Sequence, residues 1–187
     1  MESKTLLIGV TGKKQNGKDT IANYLHSRYK YNHLSFAGAL KEGVKALFDF
    51  SEQQVNGDLK EVIDNRWGVS PRVVMQKFGT EIIREGAQKI VPNIGNNFWV
   101  KRLELDLQRM KGEKIVISDV RFPNEIQKIK ELGGIVILVD RPSMNANCHD
   151  CHASENSINK EDADYVVIND STMAELYKKI DEILLKF

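Results

Sequence analysis

A lysine placed behind two spaced glycines opens the chemistry of this chain, in the stretch Gly12-Lys13-Lys14-Gln15-Asn16-Gly17-Lys18-Asp19-Thr20. The spacing from Gly12 to Gly17-Lys18 is that of a Walker A phosphate loop. Its glycines let successive backbone N–H groups curl around phosphate oxygens, and the helix that follows adds its positive N-terminal end. Gly12, Lys13, Gln15, Asn16 and Gly17 are the candidates for that cradle, and Lys18 is placed to reach the β- and γ-phosphates of ATP. The usual pattern continues with Ser or Thr, whose hydroxyl holds Mg2+. Here Asp19 stands in that place and Thr20 follows. The metal then falls to the Asp19 carboxylate, directly or through water, or in part to the Thr20 hydroxyl. A glycine-containing turn that binds nothing is the bland alternative. It is outweighed because a strand pattern precedes the loop and a helix pattern follows it, where the motif needs them.

A second chemical cluster follows the apolar run Lys114 to Ser118, in Asp119-Val120-Arg121-Phe122-Pro123-Asn124-Glu125. An aspartate at a strand end can support a magnesium shell, and an arginine two residues on can neutralise charge on a phosphoryl group in flight. The competing expectation is that Asp119 and Arg121 cap the next helix or pair with each other. Beside a phosphate loop the metal role is preferred, since such enzymes need a supporting carboxylate on a neighbouring strand.

The elements that must position these groups alternate. Apolar, β-branched runs recur at Leu6 to Val10, Ile115 to Ile117, Ile135 to Val139 and Tyr165 to Ile168, with a weaker one at His33 to Phe36. Short continuous runs suit strands buried on both faces of a parallel sheet. Helical patterns fall at about 19–30, 39–48, 71–90, 97–110, 124–132 and 172–185. The fold class expected is α/β, a three-layer, doubly wound parallel sheet with ligands at the carboxyl ends of its strands. At 187 residues the chain suits a single domain, 1–187. Within it, 51–96 reads as a helical substrate-binding insertion and the polar stretch 142–162 as a lid-like loop.

Charge and composition narrow the partners. With 27 basic and 26 acidic side chains the net charge is +1, so the global field gives no reason to expect a nucleic acid polymer or an anionic membrane. No stretch approaches the roughly 20 apolar residues of a membrane span, and a cytoplasmic setting is expected. The two cysteines, Cys148 and Cys151, are too few for a disulfide framework.

Taken together, several blocks resemble one family: the deoxynucleoside monophosphate kinases of phages and large viruses, relatives of adenylate kinase. The blocks are Gly17-Lys18-Asp19-Thr20, Ser35-Phe36-Ala37 with Leu40-Lys41-Glu42, and Pro71-Arg72. Further on come Gln76-Lys77-Phe78-Gly79-Thr80-Glu81 with Arg84, then Ser118 to Glu125, and His152-Ala153-Ser154-Glu155. The aspartate after the loop lysine, a departure from the general motif, is what this family looks like. Where the family often carries an acidic residue and a proline after Phe36-Ala37, this chain has Gly38 and Ala39.

The resemblance implies a P-loop nucleoside monophosphate kinase fold, ATP and Mg2+ as cofactors, and a deoxynucleoside monophosphate as acceptor; it also admits a homodimer. It assigns the acceptor phosphate to Arg72 and Arg84, bidentate groups suited to a dianion held in line with the γ-phosphorus. Arg102 is a third guanidinium for the same region, and Lys41 belongs to the same substrate set. Gln76, about one helical turn from Arg72, can share its face and read a base edge. Phe36 and Trp99 can stack on the base, although without the resemblance both would be assigned to the core. Arg141, at a strand end, is the candidate lid arginine that closes over the donor phosphates. His152, in the lid block, can touch nucleotide.

The lid stretch also holds Cys148-His149-Asp150-Cys151-His152, which matches the CxxCH haem signature in form. No export signal precedes it, so covalent haem is set aside. Structural zinc at Cys148, His149, Cys151 and His152 is disfavoured by crowding four ligands into five consecutive positions. Two alternatives to the leading function stand: a kinase for another small phosphorylated acceptor, of phosphomevalonate or dephospho-coenzyme A type, or a nucleotide-binding switch without transfer.

Overall fold

A computed structural model describes residues 6–145 and 159–187. The Cys148–His152 cluster, His152 included, and most of the expected lid lie outside the described residues. The chain divides into two compact units, one from the described parts of Met1–Ser35 and Leu107–Phe187, the other Phe36–Asp106.

In the first unit, five strands form one parallel sheet: β1 (Leu6–Thr11), β2 (Asn32–Leu34), β3 (Lys114–Val120), β4 (Ile135–Asp140) and β5 (Tyr165–Ile168), in the order β2-β3-β1-β4-β5. β1 lies at the centre and is buried beyond Leu6, as its unbroken apolar run demands. On one face Ile8, Val10, Val116, Ile137 and Val139 pack with α1 (Lys18–Tyr29) and α8 (Met173–Leu184) through Ile21, Leu25, Leu176 and Ile180. On the other face Gly9 lies against Ile129 of α6 (Pro123–Glu131), so close that a Cβ there would stand 2.6 Å from the Ile129 side chain. Each fully buried Ile or Val contributes about 1.5–3 kcal/mol. The three-layer, doubly wound parallel class expected from the alternation is therefore what the unit shows. The connection from β1 leads to one side of it and the connection from β3 crosses to the other, which puts a crevice at the carboxyl end of β1.

The second unit is helical, and it encloses the expected 51–96 insertion. It contains α2 (Gly38–Phe48), α3 (Glu52–Val55), a 3-10 turn at Asp58–Glu61, α4 (Pro71–Lys77) and most of α5 (Phe98–Arg109). Its core is Val44, Phe50, Val55, Val74 and Met75, with Leu40, Phe48 and Phe78 against them. Ser51 and Ser70 accept helix N-terminal N–H groups, and Pro71 occupies the first turn, where its missing N–H costs nothing. A polar knot holds the turn that precedes α4. The buried Asp64 accepts from Arg66 Nη2 at 2.7 Å, Arg66 Nε at 3.0 Å and Gln54 Nε2 at 2.7 Å. Arg66 above all, with help from Gln54, holds the Asp64 carboxyl well below the usual carboxylate range, against the opposing push of burial.

Two expected elements differ. The helix expected over 71–90 is α4, then a π-helical segment at Phe78–Arg84, then a 3-10 turn at Ala87–Lys89. Gly79 and Gly86 explain the change of winding. A Cβ on Gly79 would stand 2.7 Å from Leu40, and one on Gly86 would collide with the Ile82 carbonyl, so the chain leaves α geometry where side chains are absent, widening into the π-helical segment and then tightening into the 3-10 turn. The strand expected at His33 to Phe36 is shorter and starts earlier, at Asn32–Leu34, because the chain turns at Phe36 and Ala37 into α2. The ends of the expected lid carry α7 (Pro142–Asn145) and a 3-10 turn at Lys160–Asp162. Among the described residues no helix is long and apolar enough to cross a membrane.

Candidate active site

β1 hands the chain directly to the phosphate loop. Gly12 (φ 141°), Gln15 (φ 65°) and Gly17 (φ 106°) all adopt positive φ, which lets the backbone curl without a turn of helix. A side chain at Gly12 would collide with the Val139 carbonyl, and one at Gly17 would stand 2.7 Å from the Asn169 amide nitrogen. Both glycines are therefore required by close approach as well as by φ. Lys18 opens α1 and folds back over the loop, its Nζ donating to the carbonyl oxygens of Gly12 and Lys13 at 2.7 Å each. Asp19 is exposed in the first turn of α1 and Thr20 is half-buried. Tyr24 and Tyr29 both donate to the Asp181 carboxylate at 2.8 Å, and Tyr24 stacks on Tyr177 at 4.0 Å. α1, and Lys18 with it, is thereby fixed to α8.

A cavity of about 390 Å3 opens beside the loop, within the range of small-molecule sites. Gln15, Gly17, Lys18, Asp19 and Thr20 line one side and Arg141 another, with Asn169, Ser171, Met173 and Leu176 completing it. The structure thus brings Arg141, from the end of β4, to the same cavity as Lys18. The two apolar side chains suit a ring or sugar, and the lysine and arginine suit phosphates.

Asp119 and Arg121 sit at the neighbouring strand end. Gly9 pairs with Ile117 and Thr11 with Val120, so two steps on β1 face three on β3. The extra residue is a bulge, a device that re-aims side chains beside active sites. It falls at Ser118 and Asp119, leaving Asp119 half-buried and Arg121 exposed. The buried Ser118 hydroxyl meets His33 Nε2 at 2.7 Å, which steadies the bulge from β2.

The second unit carries the remaining candidates. Arg72, in the first turn of α4, is ion-paired with Glu61. Gln76 is exposed one turn on. Arg84, at the end of the π-helical segment, is buried and donates to the Asn96 carbonyl at 3.4 Å. Arg102 pairs with Asp106 at 2.6 Å within α5. Trp99 is 7% exposed, with its indole N–H donating to the Gly79 carbonyl at 2.9 Å, and Phe36 is 6% exposed. Both rings have the burial of core residues. Lys41 is half-buried in α2.

Two residues escaped the sequence analysis. Asn169, just past β5, donates through its side chain to the Asn16 carbonyl at 2.9 Å, while Asn16 donates to the Val139 carbonyl at 3.1 Å. Glu125, noted only as part of a block, is almost wholly buried and receives backbone N–H groups from the turn before it. Strand-end position was the one signal for Asn169.

Against known proteins, residues 45–180 match the model of the family described as "Deoxynucleotide monophosphate kinase". This chain belongs to the deoxynucleotide monophosphate kinase family. A protein of Acanthamoeba polyphaga mimivirus, whose name assigns it this activity provisionally, is 39% identical over 183 residues, covering 94% of each chain. The deoxynucleotide monophosphate kinase of Enterobacteria phage T4 is 31% identical over 157 residues, covering 77% of this chain and 61% of the phage protein. The resemblance drawn from the motif blocks is therefore borne out. Among solved structures, shikimate kinase from Aquifex aeolicus (TM-score 0.55, 16% identity, 97% of both chains) shares the fold. So does dephospho-CoA kinase from Campylobacter jejuni (TM-score 0.52, 14% identity, 96% of both chains). At such identities these two show the fold of a P-loop kinase and nothing of the acceptor.

The donor set suits the cofactors this family implies. Positive-φ glycines at van der Waals limits, with an ammonium at the loop mouth, suit a polyphosphate. Among the described residues no group of three or more His, Cys, Asp or Glu is arranged to hold a metal ion. One or two carboxylates, Asp19 and Asp119, suit Mg2+, which keeps waters and takes further oxygens from phosphates.

Proposed function

We propose that this protein transfers the γ-phosphoryl group of ATP to a deoxynucleoside monophosphate, giving ADP and the deoxynucleoside diphosphate. The observation that carries it is the meeting of the curled phosphate loop, Lys18 and Arg141 on one cavity, in a chain of this family.

In this scheme the N–H groups of Gly12 to Lys18 hold the donor phosphates. The Lys18 ammonium leaves the Gly12 and Lys13 carbonyls for the β- and γ-oxygens. Asp19 and Asp119 would hold Mg2+, which supplies charge neutralisation across the β- and γ-phosphates. Arg121 and Arg141 offset the charge that spreads over the equatorial oxygens in the transition state. Arg72 and Arg84 bind the acceptor phosphate, with Arg72 exchanging Glu61 for the ligand; Gln76 reads the base. No covalent intermediate is needed, because positioning and electrostatic complementarity supply the rate.

The test is a coupled ADP-release assay with ATP and Mg2+ across the common deoxy- and ribonucleoside monophosphates, phosphomevalonate and dephospho-coenzyme A. Turnover is expected with one or more deoxynucleotides, and Lys18→Ala should abolish it while remaining folded. Turnover with one of the other two acceptors alone would reassign the substrate. Nucleotide binding with silence toward every acceptor would indicate a switch.

A further inference from the structure

Both polar groups of one peptide unit, the Val120–Arg121 bond, are gripped by side chains from different elements. The Thr11 hydroxyl donates to the Val120 carbonyl at 2.8 Å from the end of β1. Glu125 Oε2 accepts the Arg121 N–H at 2.8 Å, and the Phe122 N–H at 3.2 Å, from the first turn of α6. Neither gripping side chain is open to water: Thr11 is 3% exposed and Glu125 1%.

The burial of a carboxylate here requires explanation, since an ionised group taken from water is costly unless hydrogen bonds replace its hydration. Phe122 is the residue at which α6 begins, and its side chain has no oxygen to cap the helix. Pro123 follows with no N–H to offer. Glu125 reaches back and accepts the N–H groups of Phe122 and Arg121 just ahead of the helix, as the acidic half of a capping box does for the residue at which a helix begins. An ordinary surface helix start would leave this to water. Here α6 is held on the sheet by Ile126 and Ile129, with exposures of 5% and 0%, so the carboxylate is fixed relative to the strands.

We propose that Thr11 and Glu125 form a clamp that sets the direction of Arg121 relative to the phosphate loop, making both positioning residues for phosphoryl transfer. Thr11 immediately precedes Gly12, and Val120 immediately precedes Arg121. The clamp therefore joins the start of the loop to the residue that would neutralise the moving phosphoryl through a single peptide plane. It also stands just beyond the bulge at Ser118 and Asp119, at the Thr11–Val120 pair where the interrupted strand ladder resumes. The inference rests on the assignment of Arg121 to the moving phosphoryl, and a misplacement near 1 Å at such a group costs on the order of a hundredfold in rate.

The experiment is a double-mutant cycle on kcat and on KM for ATP, using the full chain. Glu125→Ala and Thr11→Val are each expected to lower kcat by about ten- to a hundredfold with KM for ATP within about twofold. Glu125→Gln keeps an acceptor oxygen of the same reach and should recover most of the loss. In an Arg121→Ala background, Glu125→Ala and Thr11→Val should each add less than about a twofold effect. If Glu125→Ala does not fold, Thr11→Val carries the same cycle from the opposite side of the peptide. Equal losses in both backgrounds would show a general scaffold role and overturn the clamp. Full activity of Arg121→Ala on its own would instead remove the Arg121 assignment, and the clamp's purpose with it.

Discussion

The Asn169 side-chain amide donates to the main-chain carbonyl of Asn16 at 2.9 Å, across 153 positions of sequence. Its own backbone N–H goes to the Asp140 carbonyl at 2.7 Å, beside Arg141. One residue therefore ties the phosphate loop, the end of β4 and the end of β5 together at the rim of the donor cavity. Asn169→Ala removes the donor to Asn16 and leaves a carbonyl of a buried residue short of a partner, a loss of about 1–3 kcal/mol. The expected result is a KM for ATP raised about five- to tenfold, with KM for the acceptor unchanged, in steady-state kinetics with each substrate varied in turn.

Acid should act on the second unit through Asp64. Its folded carboxyl lies well below the usual value because Arg66 and Gln54 hydrogen-bond the charged form. A depressed carboxylate contributes stability that is present above the unfolded value of about 4 and is lost as pH falls below it. Thermal unfolding of wild type and Asp64→Asn should therefore differ most at neutral pH, with the gap narrowing progressively from about pH 4 to pH 2. A constant gap over that range would place the contribution elsewhere.

Arg72 gives the acceptor side of the scheme its own check. Its partner in this structure is Glu61, a carboxylate on a neighbouring turn that a substrate phosphate can replace. Arg72→Ala is expected to raise KM for the deoxynucleoside monophosphate about ten- to a hundredfold while moving KM for ATP less than about twofold. Equal effects on both substrates would remove Arg72 from the acceptor site.

The parts legible in the sequence were those fixed by short-range patterns. Gly12, Gly17 and Lys18 announce themselves because a curled backbone needs glycine at set intervals, and the buried runs of β1, β3, β4 and β5 because a parallel sheet is covered on both faces. What escaped depends on contacts far apart in the chain. Nothing near Asn169 signals a bond to Asn16, and Glu125 reads as a helix-start residue until its burial is seen. The single helix expected over 71–90 failed at its glycines, where propensity favours loss of helix but cannot say that the chain will widen into a π-helical segment. The bulge at Ser118 and Asp119 is likewise a property of pairing with β1 and not of either strand alone.

The central claim, transfer of the γ-phosphoryl group to a deoxynucleoside monophosphate, is tested most directly by following the label from [γ-32P]ATP. The protein is incubated with Mg2+ and each deoxynucleoside monophosphate, and the products are resolved. The account predicts labelled deoxynucleoside diphosphate with at least one acceptor, absent in Lys18→Ala. Label that remains in ATP or appears only as inorganic phosphate, whichever acceptor is present, would contradict it.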